Sequence, residues 1–93
     1  MPIFAVHYTY SEATVAARDT HRPEHRAWLN GLVEAGTVLS TGPYPDGSGA
    51  LLLFRADDAA TLEELLAHDP FARENLIDAV RAVEWKPVMG AFA

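Results

Sequence analysis

A chain of 93 residues and 10.1 kDa, 49% hydrophobic and 22% charged, has room for one folded core and is too apolar to stay disordered, so a single domain over residues 1–93 is expected. Thirteen acidic residues against seven basic ones, a formal charge of -6, argue against nucleic acid and anionic membrane as partners, since both call for a basic surface. The absence of cysteine excludes disulfides, thiolate zinc sites and thiol nucleophiles; no apolar run nears the ~20 residues of a membrane span, Met1–Tyr10 lacks a signal-peptide pattern, and a cytoplasmic protein is the expectation.

Ile3 to Tyr10 (IFAVHYTY) is β-branched and aromatic, with no Gly or Pro, and reads as a strand. Phe4, Val6, Tyr8 and Tyr10 share one face; Ile3, Ala5, His7 and Thr9 share the other. Neither face is charged, which suits an interior strand. Ser11 to Asp19 permits helix without a clear pattern. Pro23 fits the first turn of a helix, where its missing N–H costs nothing. From there to Ala35, Trp28, Leu29, Leu32 and Val33 make an apolar stripe, and Gly36 is a natural C′ residue. His25 falls near the centre of that stripe, aimed at whatever the helix packs on.

Thr37 to Thr41 predicts a second strand, closed by Gly42-Pro43 and Pro45-Asp46-Gly47. Ala50 to Phe54 predicts a third, joined to the second as an antiparallel hairpin. Asp57 or Asp58 can cap a second helix carrying Leu62, Leu65 and Leu66 and ending near His68. Asp69-Pro70 interrupts it, because the residue before proline leaves the α region. A short helical turn over 70–76 and a fourth strand over Val80–Val88 complete the chain, with Pro87 marking a strand end or an edge. The order strand, helix, strand, strand, helix, strand predicts an α+β fold of ferredoxin-like βαββαβ type. Its four-stranded antiparallel sheet carries the helices on one face. The other face, also apolar, predicts a symmetric homodimer.

Several residues are candidates for chemistry. His25 can act as a general acid/base, since histidine titrates near neutral pH; its plain alternative is a hydrogen-bonded core histidine. Asp69 can orient an imidazole and favour its protonated form, or cap the turn that follows it, or do both with one oxygen for each. Ser40, Thr41, Gly42 and Pro43 close a strand with small groups that let a ligand approach, or simply form a turn. Arg18 and Arg22 can neutralise a carboxylate substrate, or form a solvated pair. His21 and His25 lie four apart, but the HExxH pattern is absent and no metal site is expected. Phe71, Trp28, Trp85 and the tyrosines serve packing or line a pocket. No Gly-rich phosphate loop, GxSxG elbow or kinase signature occurs.

The segment RPEHRAWLNGLVEAGTVLSTGP (Arg22–Pro43) resembles the YCII-related (YciI-like) family: an Arg, a His shortly after it, an apolar helix, a Gly, and a strand ending in Gly-Pro. HDPF (His68–Phe71) matches a second hallmark, Asp-Pro-Phe, and Trp85-Lys86-Pro87 resembles the closing strand. Arg26 departs from the pattern, standing where an apolar residue is common. The resemblance implies a dimeric α+β barrel and an active site built on a His-Asp pair, here His25 and Asp69, bordered by Ser40–Pro43. It brings in a relative that dehydrochlorinates a chlorinated hydroxymuconate. The expectation is then a cofactor-independent enzyme of lyase, hydrolase or isomerase type acting on a small carboxylated or enolic, anionic metabolite. His25 and Asp69 would be catalytic, with Arg18, Arg22, Ser40, Gly42, Pro43 and Phe71 binding substrate. The alternative is a non-catalytic binding module with the same pocket.

Overall fold

A computed structural model describes Met1–Ala93. In chain order it contains β1 (Ile3–Thr9), α1 (Val15–Glu34), β2 (Val38–Pro43), β3 (Gly49–Arg55), α2 (Ala59–Leu66), α3 (Pro70–Arg73) and β4 (Ala79–Trp85). The strands form one sheet in the order β2-β3-β1-β4, and every neighbouring pair is antiparallel. This is the ferredoxin-like α+β arrangement. β1 lies inside the sheet, and its period-two alternation decides what each face receives. Phe4, Val6 and Tyr8 point to the helices and are buried. They meet Leu52 and Phe54 of β3, Val38 of β2, Leu29 of α1 and Leu62 and Leu66 of α2 in one core. Each fully buried side chain of this size contributes about 1.5–3 kcal/mol.

Two glycines are dictated by geometry. Gly36 takes φ +80 directly after α1, a left-handed conformation that side chains with a Cβ resist. Gly49 lies where β3 meets the end of β1, and a Cβ there would fall 1.8 Å from the Tyr8 carbonyl oxygen. Any side chain at 49 would push β3 away from the strand that carries Tyr8.

The largest departure from the sequence reading is α1. It begins at Val15, so Pro23 sits inside the helix and not in its first turn. An interior proline costs about 3 kcal/mol because it removes an i→i−4 hydrogen bond. Here the carbonyl left free belongs to Asp19, and both Asp19 and Pro23 are exposed, so water can take the vacant acceptor. Contacts with the segment just before the helix hold the extra turns: the buried Arg18 donates to the Ser11 carbonyl and the Thr14 hydroxyl and lies 4.3 Å over the Tyr10 ring. Val33, expected within the apolar stripe, is 44% exposed; it continues the i, i+4 line of His25 and Leu29 but borders an open cavity and not packed core.

Other boundaries move by a few residues. β1 stops at Thr9, and β2 reaches Pro43. The second helix is capped by Asp58, whose carboxylate accepts from the Thr61 N–H at 2.7 Å. β4 ends at Trp85, leaving Lys86 to Val88 outside the sheet; Pro87 has no N–H to extend a ladder. β4 is an edge strand that no helix covers, with Val80, Val83 and Trp85 all exposed. No helix is long and apolar enough to cross a membrane.

Candidate active site

Asp69 is where the local sequence does most to shape the site. Preceding a proline, it is held in extended backbone (φ -60, ψ 125). From there its side chain turns back over α3, and Oδ1 accepts from the Phe71 N–H at 2.9 Å. His25 of α1 brings Nδ1 to the same oxygen, at 2.7 Å. The helix cap and the histidine partner are therefore served by one oxygen, where the sequence reading assigned one to each. The second oxygen, Oδ2, accepts from the Tyr8 hydroxyl at 2.8 Å.

Asp69 is wholly buried and His25 is 8% exposed. A buried carboxylate is costly unless hydrogen bonds replace its water, and here three donors do so. The amide N–H of Phe71 can only donate. With the carboxylate ionised, Tyr8 O–H and His25 Nδ1–H donate as well, and every group is satisfied. That arrangement leaves the lone pair of His25 on Nε2, the opposite side of the ring. Phe71 stacks flat on the imidazole, centroids 3.9 Å apart and planes within 1°. One face of the ring is thus covered by an apolar wall placed by the same Asp-Pro-Phe turn.

Two tyrosines complete the surroundings. Burial, reinforced by the neighbouring Asp69 charge and hydrogen bond, holds the Tyr8 hydroxyl proton far above the usual phenol range. Tyr10 is pushed up to about 12, by burial first and then by the Asp69 charge, with Arg18 and Arg22 pulling the other way. Tyr10 also packs edge-on against Phe71 at 6.0 Å.

Beside His25 opens a cavity of about 350 Å³ between α1 and the end of β2. His25, Leu29 and Phe71 supply one wall; Thr41, Gly42 and Pro43 supply another. Arg22, Arg26 and Asn30 of α1 and Tyr10 add polar groups. Asp69 does not line it and meets the cavity through His25 and Phe71, the two lining residues bonded to it. The volume suits a metabolite of about one ring, at the lower end of small-molecule sites.

The structure brings His25, Arg22, Gly42, Pro43 and Phe71 together around one cavity and sets two candidates apart. Arg18 does not line it; its guanidinium is occupied by Ser11, Thr14 and the Tyr10 ring. Ser40 lies on the opposite face of the sheet, beside Leu51 and Leu53. The register shifts between Val38 and Ser40, and such a bulge flips the alternation that follows it. Thr41 takes the inward place instead. Thr41 was expected there as part of the Ser40–Pro43 strand end; Tyr8, Tyr10, Arg26 and Asn30 are the site residues that sequence reasoning did not assign. Only Tyr8 and Tyr10 had a signal there, through their shared face of β1.

No group of three or more His, Cys, Asp or Glu lies close enough to hold a metal ion. The Nδ1 atom of His21 is buried without a hydrogen-bond partner, and that of His25 is taken by Asp69.

The model of the YCII-related domain matches residues 3–86. The chain belongs to the YCII-related family. Among solved structures it is similar to the 5-chloro-2-hydroxyhydroquinone dehydrochlorinase TftG from Burkholderia phenoliruptrix AC1100, in complex with 2,5-dihydroxybenzoquinone. The TM-score is 0.80 at 20% identity, over 90% of this chain and 93% of that one. A more distant likeness is to MtbAldR, with a TM-score of 0.58 at 12% identity, covering 100% of this chain and 59% of that one. At these identities the likeness is one of fold. None of the curated proteins matches the sequence.

Proposed function

We propose that this YCII-related protein is a cofactor-independent acid–base enzyme acting on a small carboxylated or enolic metabolite, with His25 as the proton carrier. The observation that carries this reading is the His25–Asp69 pair: a buried carboxylate with three donors holds Nδ1 while the ring lines the cavity. Nε2 takes a proton from a carbon acidified by a neighbouring carbonyl or carboxylate. The ring becomes an imidazolium whose charge the Asp69 carboxylate balances. The C–H electron pair then forms a double bond. In an elimination it expels halide or hydroxide from the adjacent carbon; in an isomerisation the proton is returned at another carbon. Arg22 holds the substrate's anionic group. Proton transfer of this kind needs no metal or organic cofactor. That TftG is a dehydrochlorinase supports elimination as the reaction to try first.

The test is a screen of chlorinated and hydroxylated quinols and of small unsaturated acids, read by mass spectrometry for loss of HCl or water. His25→Ala is the control. Product formed by wild type and not by a folded His25→Ala variant supports the reading. Turnover surviving in that variant overturns it. Saturable thermal shifts without product would make the cavity a binding site only.

The uncovered sheet face supports a homodimer. Leu53 and Leu51 of β3, Ile3 and Ala5 of β1, and Val83 and Trp85 of β4 share that face, and Val83 and Trp85 stand exposed. A second copy packing there would bury them. Light scattering should give twice the 10.1 kDa chain mass; a particle of one chain would refute the pairing.

A further inference from the structure

We infer that Arg22 and Arg26 form a two-pronged anion clamp, and that the substrate therefore carries two anionic oxygens, as a dicarboxylate or a carboxylate plus an enolate. The inference rests on the cavity being the substrate site, and it assigns a specificity role to Arg26.

Charge distribution supports it first. The chain carries 13 acidic and 7 basic residues, yet the cavity is lined by two arginines and no carboxylate. Helix geometry supports it second. Arg22 and Arg26 are spaced i, i+4 on α1, so their Cβ atoms are about 5–6 Å apart and both guanidinium groups leave the same face. Like charges at that spacing destabilise a helix, and the chain retains them where the cavity opens. Partners differ between the two. Arg22 is paired with Asp19 through one nitrogen, leaving further N–H donors of its fork free. Arg26 is exposed and has no ion-pair partner. Asn30, one turn further along, also lines the cavity and extends the row of donors. A single anion is served by Arg22 alone, whereas two anionic groups use both forks. His25 lines the same cavity, three residues from Arg22 on α1, so a substrate held at the arginines is within the chamber that the imidazole borders.

Maleate and its monoanionic analogue isocrotonate separate the two cases. Binding of each is followed by the His25 ring proton shifts at constant ionic strength, in wild type, Arg26→Met and Lys86→Met. Lys86 is exposed and outside the cavity, so its variant controls for overall charge. Wild type should prefer maleate, and Arg26→Met should lose on the order of tenfold in maleate affinity, equivalent to about 1.4 kcal/mol, with isocrotonate changed by less than about twofold. Lys86→Met should keep the preference. An Arg26→Met variant that still prefers maleate as wild type does would overturn the clamp while leaving the site intact. If neither acid moves the His25 resonances in wild type, the anion-site reading fails and the clamp with it.

Discussion

Two histidines in this chain use Nδ1 in hydrogen bonds of nearly equal length, His25 to Asp69 at 2.7 Å and His7 to Tyr44 at 2.8 Å. They stand on opposite faces of the sheet. His7 projects from β1 on the uncovered face, and its partner is a neutral phenol in the loop between β2 and β3. His25 projects from α1 toward the covered face, and its partner is a buried carboxylate fixed by two further donors. The bond length is shared; the charge of the partner, its immobility and the adjoining cavity are not. A tyrosine can accept or donate, so it leaves the tautomer of His7 open. An ionised Asp69 can only accept, and thereby dictates where the proton of His25 sits. The lesson is that a histidine becomes a candidate base through what constrains its far nitrogen.

Four substitutions and a titration can break or sharpen that contrast. The largest effect is expected at His25 itself. His25→Ala should reduce turnover by about 10²–10⁴-fold, the usual worth of a general acid/base, whereas His7→Gln should leave it within about twofold. Equal losses in steady-state assays would erase the distinction between the two pairs. Next comes Asp69→Asn, which removes the balancing charge but keeps an acceptor. It should cost on the order of 10²-fold in kcat with KM little changed; a loss confined to KM would make Asp69 a structural cap only.

Stability effects come next in size. Tyr8→Phe leaves Oδ2 of a fully buried carboxylate without its donor, which should cost about 1–3 kcal/mol in urea unfolding. A variant as stable as wild type would mean that the hydroxyl does not support Asp69. The smallest effect is alkaline. Tyr8 and Tyr10 both release their protons later folded than unfolded, so the folded state binds more protons above the ordinary tyrosine range. Their stabilisation is complete below ~pH 10 and fades as pH climbs toward the Tyr10 value of about 12. Absorbance near 295 nm should show both phenols largely un-ionised at ~pH 11, with ionisation accompanying unfolding. Early ionisation of all tyrosines in the folded chain would contradict the burial of this face.

Much of the fold was legible because local signals agreed with one another. Alternation in β1, the Gly36 stop and the Asp69-Pro70 break each have a short-range physical cause, and together they gave the element order. The His25–Asp69 pairing came from family resemblance, since no local signal joins residues so far apart in sequence. What stayed hidden depends on side-chain contacts and backbone irregularities that residue patterns do not mark. The early start of α1 is held by Arg18 reaching Ser11, Thr14 and Tyr10, and those contacts override Pro23. Ser40 was grouped with its neighbours at the pocket, and the bulge after Val38 that turns it to the other face leaves no mark in the sequence. The bond from Tyr8 to Asp69 joins the first strand to a late turn, and a tyrosine on an apolar strand face looks like ordinary core.

The most direct test is the tautomer of the neutral His25 ring, read from its two ¹⁵N shifts in a long-range ¹H–¹⁵N correlation spectrum. The geometry predicts the proton on Nδ1, bonded to Asp69, with the lone pair on Nε2 of a ring that lines the cavity. A ring protonated at Nε2 would contradict the account, because His25 would then have no base to offer a substrate.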